Sequence, residues 1–247
     1  MGVLCIIQAR LGSTRLPGKV LKKLSGKSVL EHVIYRVSKS DLIDQIIVAT
    51  TTNKKDDKII DECLKIGVNY YRGDENNVLS RYYETAVDKG YETIIRITSD
   101  CPLIDPKIID NMIMYFNNEN EKYRLDYLSN SLKETFPRGF DVEIFTFNSL
   151  KEAYENATLE YEKEHVTPYI YLNQDKFTIK NYYNSNKNQN YRLTLDTYED
   201  YLVIKNIYDN IYKEDSMFFY EDIISYLNQY PEIANINQHI KQKKLGE

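Results

Sequence analysis

The chain has 247 residues, 28% of them charged, and a formal net charge of −5. This length suits one α/β domain over residues 1–247, or a domain with an appended subdomain, and is enough for a substantial core. The acidic balance argues against a nucleic-acid partner, because such binders usually carry a basic excess. No apolar run approaches the ~18 residues that span a bilayer, and no signal peptide is visible. Three cysteines without a CxxC pair predict neither a zinc site nor disulfides, so the cytoplasm is the expected compartment.

Strand and helix patterns alternate through the first half of the chain. Strands are predicted at 3–8, 45–50, 68–71 and 93–98. Helices are predicted at 29–38, 56–66, 78–89 and 106–116, with Gly67 ending the second and Asp105 capping the fourth. The alternation predicts a mostly parallel, doubly wound, Rossmann-like sheet whose ligands bind at the carboxyl ends of the strands.

The second half is less regular. Strands are predicted at 126–129, 141–147, 177–182 and 191–195, and helices at 149–156, 159–172 and 198–212. Pro168 should kink or end the middle helix. We expect a polar loop at 184–190 and a frayed end at 238–247. No linker divides the chain, so we predict one domain with a less regular substrate or dimerisation portion around 120–190.

The loop after the first strand is the most distinctive segment of the chain. It runs Ala9-Arg10-Leu11-Gly12-Ser13-Thr14-Arg15-Leu16-Pro17-Gly18-Lys19. Its glycines allow the backbone to approach an anion and its three cations neutralise one, which is typical of a phosphate-binding loop. A P-loop is excluded because five residues separate Gly12 from Gly18 and Val20 follows the lysine. A dinucleotide fingerprint would need two more glycines near Gly12. The alternative is a basic surface loop.

Two aspartates follow strand-like runs and are candidates for a metal site. Asp100 follows the fourth predicted strand, and Asp196 follows the run at 191–195. Mg2+ takes one or two carboxylates together with phosphate oxygens, so a shared site for Mg2+ is one interpretation. The alternative is that each aspartate caps the helix that follows it.

Two further clusters carry polar chemistry. The segment 136–143 contains a Pro-Arg-Gly turn that presents Arg138, and Asp141 and Glu143 then share one face of a strand. His165 lies in a polar cluster before Pro168. The first is either a substrate-binding element or an exposed turn. The histidine is either a catalyst or a structural hydrogen-bonding group.

Together these motifs resemble the cytidylyltransferases that make CMP-activated sugar acids, such as the CMP-Kdo and CMP-sialic acid synthetases. They resemble most closely the branch of spore-coat polysaccharide biosynthesis protein F. The resemblance covers residues 3–210. The segments that carry it are 7–19, 48–50, 73–82, 96–104, 126–130, 136–143, 164–169 and 192–197.

The resemblance implies a nucleotide-diphospho-sugar transferase fold and a reaction that uses CTP and Mg2+. The catalytic residues of the family fall on Arg15 and Lys19, which bind the triphosphate, and on Asp100 and Asp196, which bind the metal. The predicted nucleotide-binding residues are Ala9, Arg10, Gly12, Ser13, Arg15, Lys19, Thr50, Thr51, Arg81, Thr98 and Ser99. The predicted acceptor-binding residues are Asn130, Arg138, Asp141, Glu143 and His165. The Kdo enzymes have Gln-Gly-Asp-Glu-Pro where this chain has Thr-Ser-Asp-Cys-Pro at 98–102, so the acceptor stays open.

The expected function is CTP-dependent activation of a small acceptor for cell-surface polysaccharide synthesis, with release of pyrophosphate, by a homodimer. A sugar-acid hydroxyl would give a CMP-sugar. A phosphorylated sugar or polyol, or a phosphonate, would give a CDP-linked product and need extra cations, for which Arg81, Arg96 and Arg138 are candidates. A glycosyltransferase of the same fold is an alternative, although the chain lacks an Asp-x-Asp pair after the strand. A non-catalytic oligomerising module is another, although it predicts loss of the cations and carboxylates that this chain retains.

Overall fold

The computed structural model describes residues 2–185, 190–214 and 216–242, and its strands and helices alternate in the first half. The strands are β1 (Val3–Gln8), β2 (Lys23–Leu24), β3 (Lys27–Ser28), β4 (Gln45–Thr51), β5 (Asn69–Gly73), β6 (Thr93–Thr98), β7 (Tyr127–Ser129), β8 (Glu143–Thr146) and β9 (Ile179–Asn181). The helices are α1 (Val29–Val37), α2 (Asp57–Ile66), α3 (Val78–Ala86), α4 (Pro106–Tyr123), α5 (Phe147–Asn156), α6 (Glu160–His165), α7 (Pro168–Leu172), α8 (Tyr198–Ile211), α9 (Tyr220–Gln229) and α10 (Pro231–Asn235).

Seven of these strands form one sheet in the order β5-β4-β1-β6-β8-β7-β9. β8 is antiparallel to its neighbours β6 and β7, and the other pairings are parallel. Gln8, the last residue of β1, pairs with Ala49 of β4 and with Thr98 of β6. The carboxyl ends of these three strands therefore lie level at one rim, and the predicted mostly parallel sheet is confirmed.

The sheet is covered on both faces, which explains the continuous apolar run at the start of the chain. Cys5 and Ile7 pack on the face that is covered by α1, α2, α4, α8 and α9. Leu4 and Ile6 point to the opposite face and pack with α3, α5 and α7. Successive side chains of a strand alternate between the two faces, and all four of these are 0% exposed. The sheet is thus doubly wound.

The predicted strand at 191–195 is wrong, and its hydrogen bonds give the reason. The Leu193 N–H donates to the carbonyl of Arg138 at 2.7 Å, and the Leu195 N–H donates to the carbonyl of Asp100 at 2.8 Å. These bonds join two different loops instead of one neighbouring strand. Only an isolated bridge between Arg138 and Arg192 remains.

Other boundaries also differ from the prediction. α4 continues to Tyr123, and the predicted helix over 159–172 is two helices, α6 and α7, separated at Val166. The hairpin of β2 and β3 and the helices α9 and α10 were not predicted. Residues 186–189 of the predicted polar loop, and residues 243–247 of the predicted frayed end, lie outside the described residues. In the part of the chain that the structure describes, no helix is long and apolar enough to cross a membrane.

The side chain of His32, on α1, is buried against β2 and α8. Its ring lies 4.3 Å from that of Tyr208, centroid to centroid, and is 1% exposed. Its Nε2–H donates to the carbonyl of Leu24 at 2.8 Å. Burial lowers the pKa of His32 to about 4. The ring is therefore neutral in the folded protein at pH values where the unfolded chain already takes up a proton.

We expect His32 to make the fold sensitive to mild acid. The pKa is lower in the folded than in the unfolded state, so there is no penalty above pH 6.5. The free energy of unfolding falls as the pH drops from 6.5 towards 4, by up to an amount on the order of 3 kcal/mol. Chemical denaturation between pH 8 and 5 measures this loss. The variant His32→Gln should lose less stability over that range, and His239→Gln, at an exposed position, should behave like the wild type. Equal pH dependence in all three proteins would contradict this assignment.

Candidate active site

Lys19, Asp100 and Asp196 meet at the rim formed by the carboxyl ends of the strands. The Nζ of Lys19 lies 2.6 Å from Oδ2 of Asp100 and 2.8 Å from Oδ1 of Asp196. All three side chains are largely buried, with exposed fractions of 12%, 22% and 13%. The structure thus brings together three of the four residues predicted to be catalytic, from positions far apart in the chain.

The local structure explains how each of them reaches this point. Gly18 has φ 66°, a left-handed conformation that suits glycine, and Lys19 then begins a single 3-10 turn. Asp100 lies two residues after the end of β6, and the hydrogen bond from Leu195 to its carbonyl holds the Asp196 segment beside it. Neither aspartate caps a helix. Asp105 caps α4 and Thr197 caps α8, so the alternative interpretation of these two residues is excluded.

The charges of Lys19, Asp100 and Asp196 stabilise one another. Burial alone would lower the pKa of Lys19, but the two carboxylates outweigh it and the pKa is raised. Burial alone would raise the pKa of Asp100, but Lys19 holds that pKa below its usual value. Lysine and carboxylate are therefore both charged, and together they form a compact ionic site in a largely buried position.

Asp196 has further cationic partners on its second oxygen. Its Oδ2 lies 3.1 Å from an Nη of Arg15, the fourth residue predicted to be catalytic, and 3.0 Å from an Nη of Arg192. The Nε of Arg192 in turn lies 3.0 Å from Oδ1 of Asp200, a residue that is 0% exposed. The buried carboxylate of Asp200 thus holds Arg192 in place. Arg15, by contrast, reaches Asp196 from a loop and is one-third exposed.

The segment after α10 also contributes to this site. The side-chain amide of Asn237 donates to the carbonyl of Arg192 at 2.9 Å and to Asp200 at 2.8 Å. Arg192 donates to Oε1 of Gln242 at 2.6 Å. Sequence reasoning missed these supporting residues. The spacing of four between Arg192, Asp196 and Asp200 is the signal that was available, but nothing local indicated Asn237.

Gly139 allows the Pro-Arg-Gly turn to pack closely against the segment that leads to Asp196. Its φ is 108°, and a Cβ there would lie 2.3 Å from the carbonyl oxygen of Leu193. Only glycine allows the two backbones to approach so closely. The approach permits the Leu193 N–H to bind Arg138 and fixes the course of the chain three residues before Asp196.

The loop after β1 is anchored by a buried carboxylate. Asp56 is 0% exposed; its Oδ1 accepts from the Leu11 N–H at 2.8 Å, and its Oδ2 accepts from the Thr51 hydroxyl. Above the loop, Lys55 and Glu75 form an ion pair at 2.5 Å, and a Cβ on Gly12 would lie 3.1 Å from the Lys55 Nζ. Neither Lys55 nor Glu75 was predicted. The Thr51 hydroxyl is engaged in holding the loop.

Two predicted nucleotide-binding residues carry buried polar atoms that have no partner within the described residues. Arg81 is 1% exposed; one of its Nη atoms donates to the carbonyl of Asp74 at 3.2 Å, and its Nε has no partner among the described residues. Burial lowers its pKa. The hydroxyl of Thr50 is likewise buried and without a partner in the described part of the chain. An arginine with such sparse pairing is unusual in a protein interior.

The other predicted nucleotide-binding residues lie on the same rim. Arg10 reaches Glu164 at 3.8 Å and is 40% exposed. The remaining contacts are local: Ala9 N–H to the Ala49 carbonyl, Leu16 N–H to the Ser13 hydroxyl, the Thr98 hydroxyl beside Cys101, and Ser99 N–H to the Gln8 carbonyl.

A second polar cluster is formed around Glu143, one of the predicted acceptor-binding residues. This buried carboxylate pairs with Arg96 and accepts hydrogen bonds from the hydroxyls of Tyr127 at 2.9 Å and Thr167 at 2.5 Å. Arg96 also donates to the side chain of Gln8 at 3.2 Å. Burial alone would lower the pKa of Arg96, but Glu143 raises it, so the pair is ionic.

His165 stands beside this cluster at a strained turn. Val166 has φ 73° and ψ −54°, and the Thr167 N–H donates to the carbonyl of His165 at 2.9 Å. This is the rare γ-turn, which is unfavourable for a β-branched residue and persists where surrounding contacts hold it. Here Thr167 is anchored on Glu143. Burial lowers the pKa of His165, and the ring has no hydrogen bond among the described residues.

The other acceptor-side candidates form the loop next to it. The side chain of Asn130 donates to the carbonyl of Phe140 and accepts from the Val142 N–H. Asp141 accepts from the Gly139 N–H at 3.0 Å. Burial raises its pKa, and Asp100 and Glu143 act in the same direction. Arg138 pairs with Glu134 and lies 3.7 Å from Asp141.

The carboxylate oxygens of Asp100 and Asp196, which meet at Lys19, suit a magnesium ion that also binds a phosphate. They suit less well a metal ion held by protein side chains alone. Among residues 2–185, 190–214 and 216–242, no cluster of three or more His, Cys, Asp or Glu side chains could hold a metal ion. Asp100 and Asp196 each turn one oxygen towards the same cation, the ammonium of Lys19. Two convergent carboxylates, with phosphate and water as further ligands, are what Mg2+ usually takes.

Comparison with known proteins finds relatives that match nearly the whole length of the chain. The family model for cytidylyltransferases matches residues 4–242. An uncharacterised protein of Methanocaldococcus jannaschii is 39% identical and aligns with 100% of this chain and 99% of its own length. The spore coat polysaccharide biosynthesis protein SpsF of Bacillus subtilis is 34% identical over 94% of this chain and 96% of its own.

A solved structure agrees with the fold. A cytidylyltransferase from Leptospira borgpetersenii serovar Hardjo-bovis superposes with a TM-score of 0.90 at 36% identity, and the match covers 99% of this chain and 100% of that one. The residues matched by the family model include the loop after β1, Asp100 and Asp196. The chain belongs to the cytidylyltransferase family and is a CTP-dependent nucleotidyltransferase.

Proposed function

We propose that this enzyme transfers the cytidylyl group of CTP to an oxygen of a small acceptor, in the cytoplasm, for synthesis of a cell-surface polysaccharide such as a capsule. A bond forms between the acceptor oxygen and the α-phosphorus, the bond from the α-phosphorus to the bridging oxygen breaks, and pyrophosphate leaves. A hydroxyl acceptor also loses its proton. The observation that carries the proposal is the meeting of Lys19 and Arg15 with Asp100 and Asp196 at one rim of the sheet.

The proposed chemistry is electrostatic. Arg15 and Lys19 bind and orient the phosphates, and Asp100 and Asp196 hold Mg2+. Mg2+ bound there would neutralise negative charge on the phosphates. Preorganised charge of this kind supplies most of the catalysis in phosphoryl and nucleotidyl transfer. Arg192 and Asp200 keep Asp196 in place and touch neither substrate.

On the nucleotide side, we propose that Arg81 faces the cytosine base. Its buried guanidinium has an Nε without a partner among the described residues, and the ring nitrogen and carbonyl of cytosine are acceptors for such donors. On the acceptor side, we propose that Arg96, Arg138 and His165 contact the acceptor. This set suits a hydroxylated acceptor that carries a carboxylate or phosphate, because hydroxyls bind the histidine and anionic groups bind the arginines.

Thermal shift with nucleotides tests the activity. CTP, UTP, ATP, GTP, dTTP and CDP-sugars are each added with and without Mg2+. A ligand at 100 times its dissociation constant stabilises a protein by about 2.7 kcal/mol, which is several degrees at this size. Selective stabilisation by CTP with Mg2+, followed by acceptor-dependent release of pyrophosphate, is the expected result. Stabilisation by finished nucleotide-sugars and by no triphosphate would instead identify a glycosyltransferase.

The variant Asp196→Asn should raise the Mg2+ concentration for half-maximal turnover by at least about tenfold. An amide is nearly the same size as a carboxylate, but it is neutral and a weaker ligand for a hard cation. The measurement is a Mg2+ titration of pyrophosphate release at saturating CTP. Asp209→Asn on the exposed side of α8 is the matched control. An unchanged titration would assign Asp196 a structural role only.

We further propose that the enzyme is a homodimer. Tyr123, Leu132 and Tyr183 are exposed apolar side chains in the less regular portion around 120–190 and are the candidates for the contact. Light scattering after size-exclusion chromatography distinguishes a dimer from a monomer. Leu132→Glu should weaken a dimer that uses this surface.

A further inference from the structure

We infer that this site takes the divalent metal and the nucleotide triphosphate as a single ligand, and that Lys19 occupies the place of the metal between Asp100 and Asp196 until that ligand arrives. The inference rests on the proposed function. It assigns Lys19 a role in the free protein that is separate from its contact with phosphate.

The geometry makes Lys19 and a metal ion mutually exclusive. The ammonium contacts one oxygen of Asp100 at 2.6 Å and one of Asp196 at 2.8 Å. A magnesium ion that used the same two oxygens would lie about 2.1 Å from each and would need the space that Nζ fills. The other oxygen of Asp196 faces Arg15 and Arg192, so it offers no alternative approach.

A metal ion by itself has little reason to displace the lysine. Within the described residues, Lys19 forms ion pairs with Asp100 and Asp196 alone, and its side chain is 12% exposed. An ammonium moved from these carboxylates would be left in a largely buried position without a counter-charge, which is strongly unfavourable. The metal would also have to lose part of its water shell. Free metal should therefore bind weakly.

The triphosphate removes that obstacle. Its oxygens offer Lys19 and Arg15 a new anionic partner, and both residues lie on the loop after β1 and can turn towards it. The carboxylate oxygens that they leave then become free for the metal that accompanies the phosphates. Arg192 does not take part in this exchange, because Asp200 and Asn237 hold it in place. Such coupling is reciprocal. If bound CTP raises the affinity for the metal by a given factor, the bound metal raises the affinity for CTP by the same factor.

Metal binding in the absence of nucleotide provides the first test. The probe is Mn2+, counted through the loss of the electron paramagnetic resonance signal of the free ion. We compare the wild type with Lys19→Met, which keeps the apolar stem and removes the charge. Lys23→Met, at an exposed position on β2, is the matched control. We expect Lys19→Met to bind Mn2+ at least tenfold more tightly than the wild type, and Lys23→Met to match the wild type.

Thermal shift of the wild type provides the second test and needs no variant. Mn2+ alone should leave the Tm within about one degree, and Mn2+ with CTP should raise it by more than the separate effects added together. Equal Mn2+ affinity of wild type and Lys19→Met would overturn the inference, and so would a CTP effect on the Tm that is the same with and without Mn2+. If CTP has no effect under any condition, the proposed function fails, but the comparison of Mn2+ affinities still decides the role of Lys19. Should Lys19→Met not fold, Lys19→Gln replaces it.

Discussion

Replacing Lys19 by methionine should lower kcat/KM for CTP by a factor of about 10³ or more while the protein remains folded. Removal of one preorganised charge from a transition-state site typically costs 10²–10³ in rate. Lys19 is expected at the upper end, because it is largely buried and lies against both of the proposed metal ligands. The loss should appear mainly in kcat if the lysine acts on charge that develops on the leaving pyrophosphate.

The measurement is pyrophosphate release at saturating Mg2+ and acceptor, with circular dichroism and Tm as checks of folding. Lys23→Met should retain wild-type rates, since Lys23 is exposed on the neighbouring hairpin. Wild-type turnover in Lys19→Met would show that the loop after β1 does not bind the reacting phosphates. Together with the Mn2+ measurement, this experiment separates a protein that has lost its metal from one that binds metal and cannot use it.

Replacing Gly139 by alanine should destabilise the protein by about 3 kcal/mol or more. The new Cβ would lie 2.3 Å from the carbonyl oxygen and 2.4 Å from the carbonyl carbon of Leu193, and both are backbone atoms that cannot turn aside. The positive φ of 108° adds strain of its own. The turn must then separate from the Leu193 segment, which breaks the bond between Arg138 and Leu193 and moves Asp196. Activity should fall further than stability alone explains.

Gly26→Ala is the matched control for this variant. Gly26 has φ 87°, but a Cβ there meets nothing within 4 Å. It should therefore cost only the conformational strain, about 1–2 kcal/mol. Urea denaturation of both variants measures the difference. Equal destabilisation would show that the Gly139 effect is one of backbone angle alone and that the close approach to Leu193 has no energetic weight.

The first half of the fold was predictable because its signals are local. The apolar run of β1 and the periodicity of α1 each lie within a short window, and Gly67 and Asp105 end and begin helices as their chemistry requires. The segment at 191–195 failed for the opposite reason. Its alternating side chains are those of a strand, but its N–H groups bind Arg138 and Asp100, which are distant in sequence.

The same distinction applies to the candidate site. Lys19 and Asp100 are marked by the residues around them, so the sequence indicates them. Asn237 acts only through its contact with Arg192, and Glu75 only through Lys55, and such pairings follow from the fold rather than from a motif. The strained turn at Val166 was equally invisible, because valine is among the residues least expected there.

The ion pairs of Lys19 also bear on how the protein acquires its activity during folding. The bond to Asp196 spans 177 residues and the bond to Asp100 spans 81. Contacts between such distant segments form late, because closing a long loop costs entropy before the contact rewards it. After dilution from denaturant, far-ultraviolet circular dichroism should therefore recover before nucleotide binding does. In that interval the helices would be present, but Lys19 and Asp196 would not yet have met.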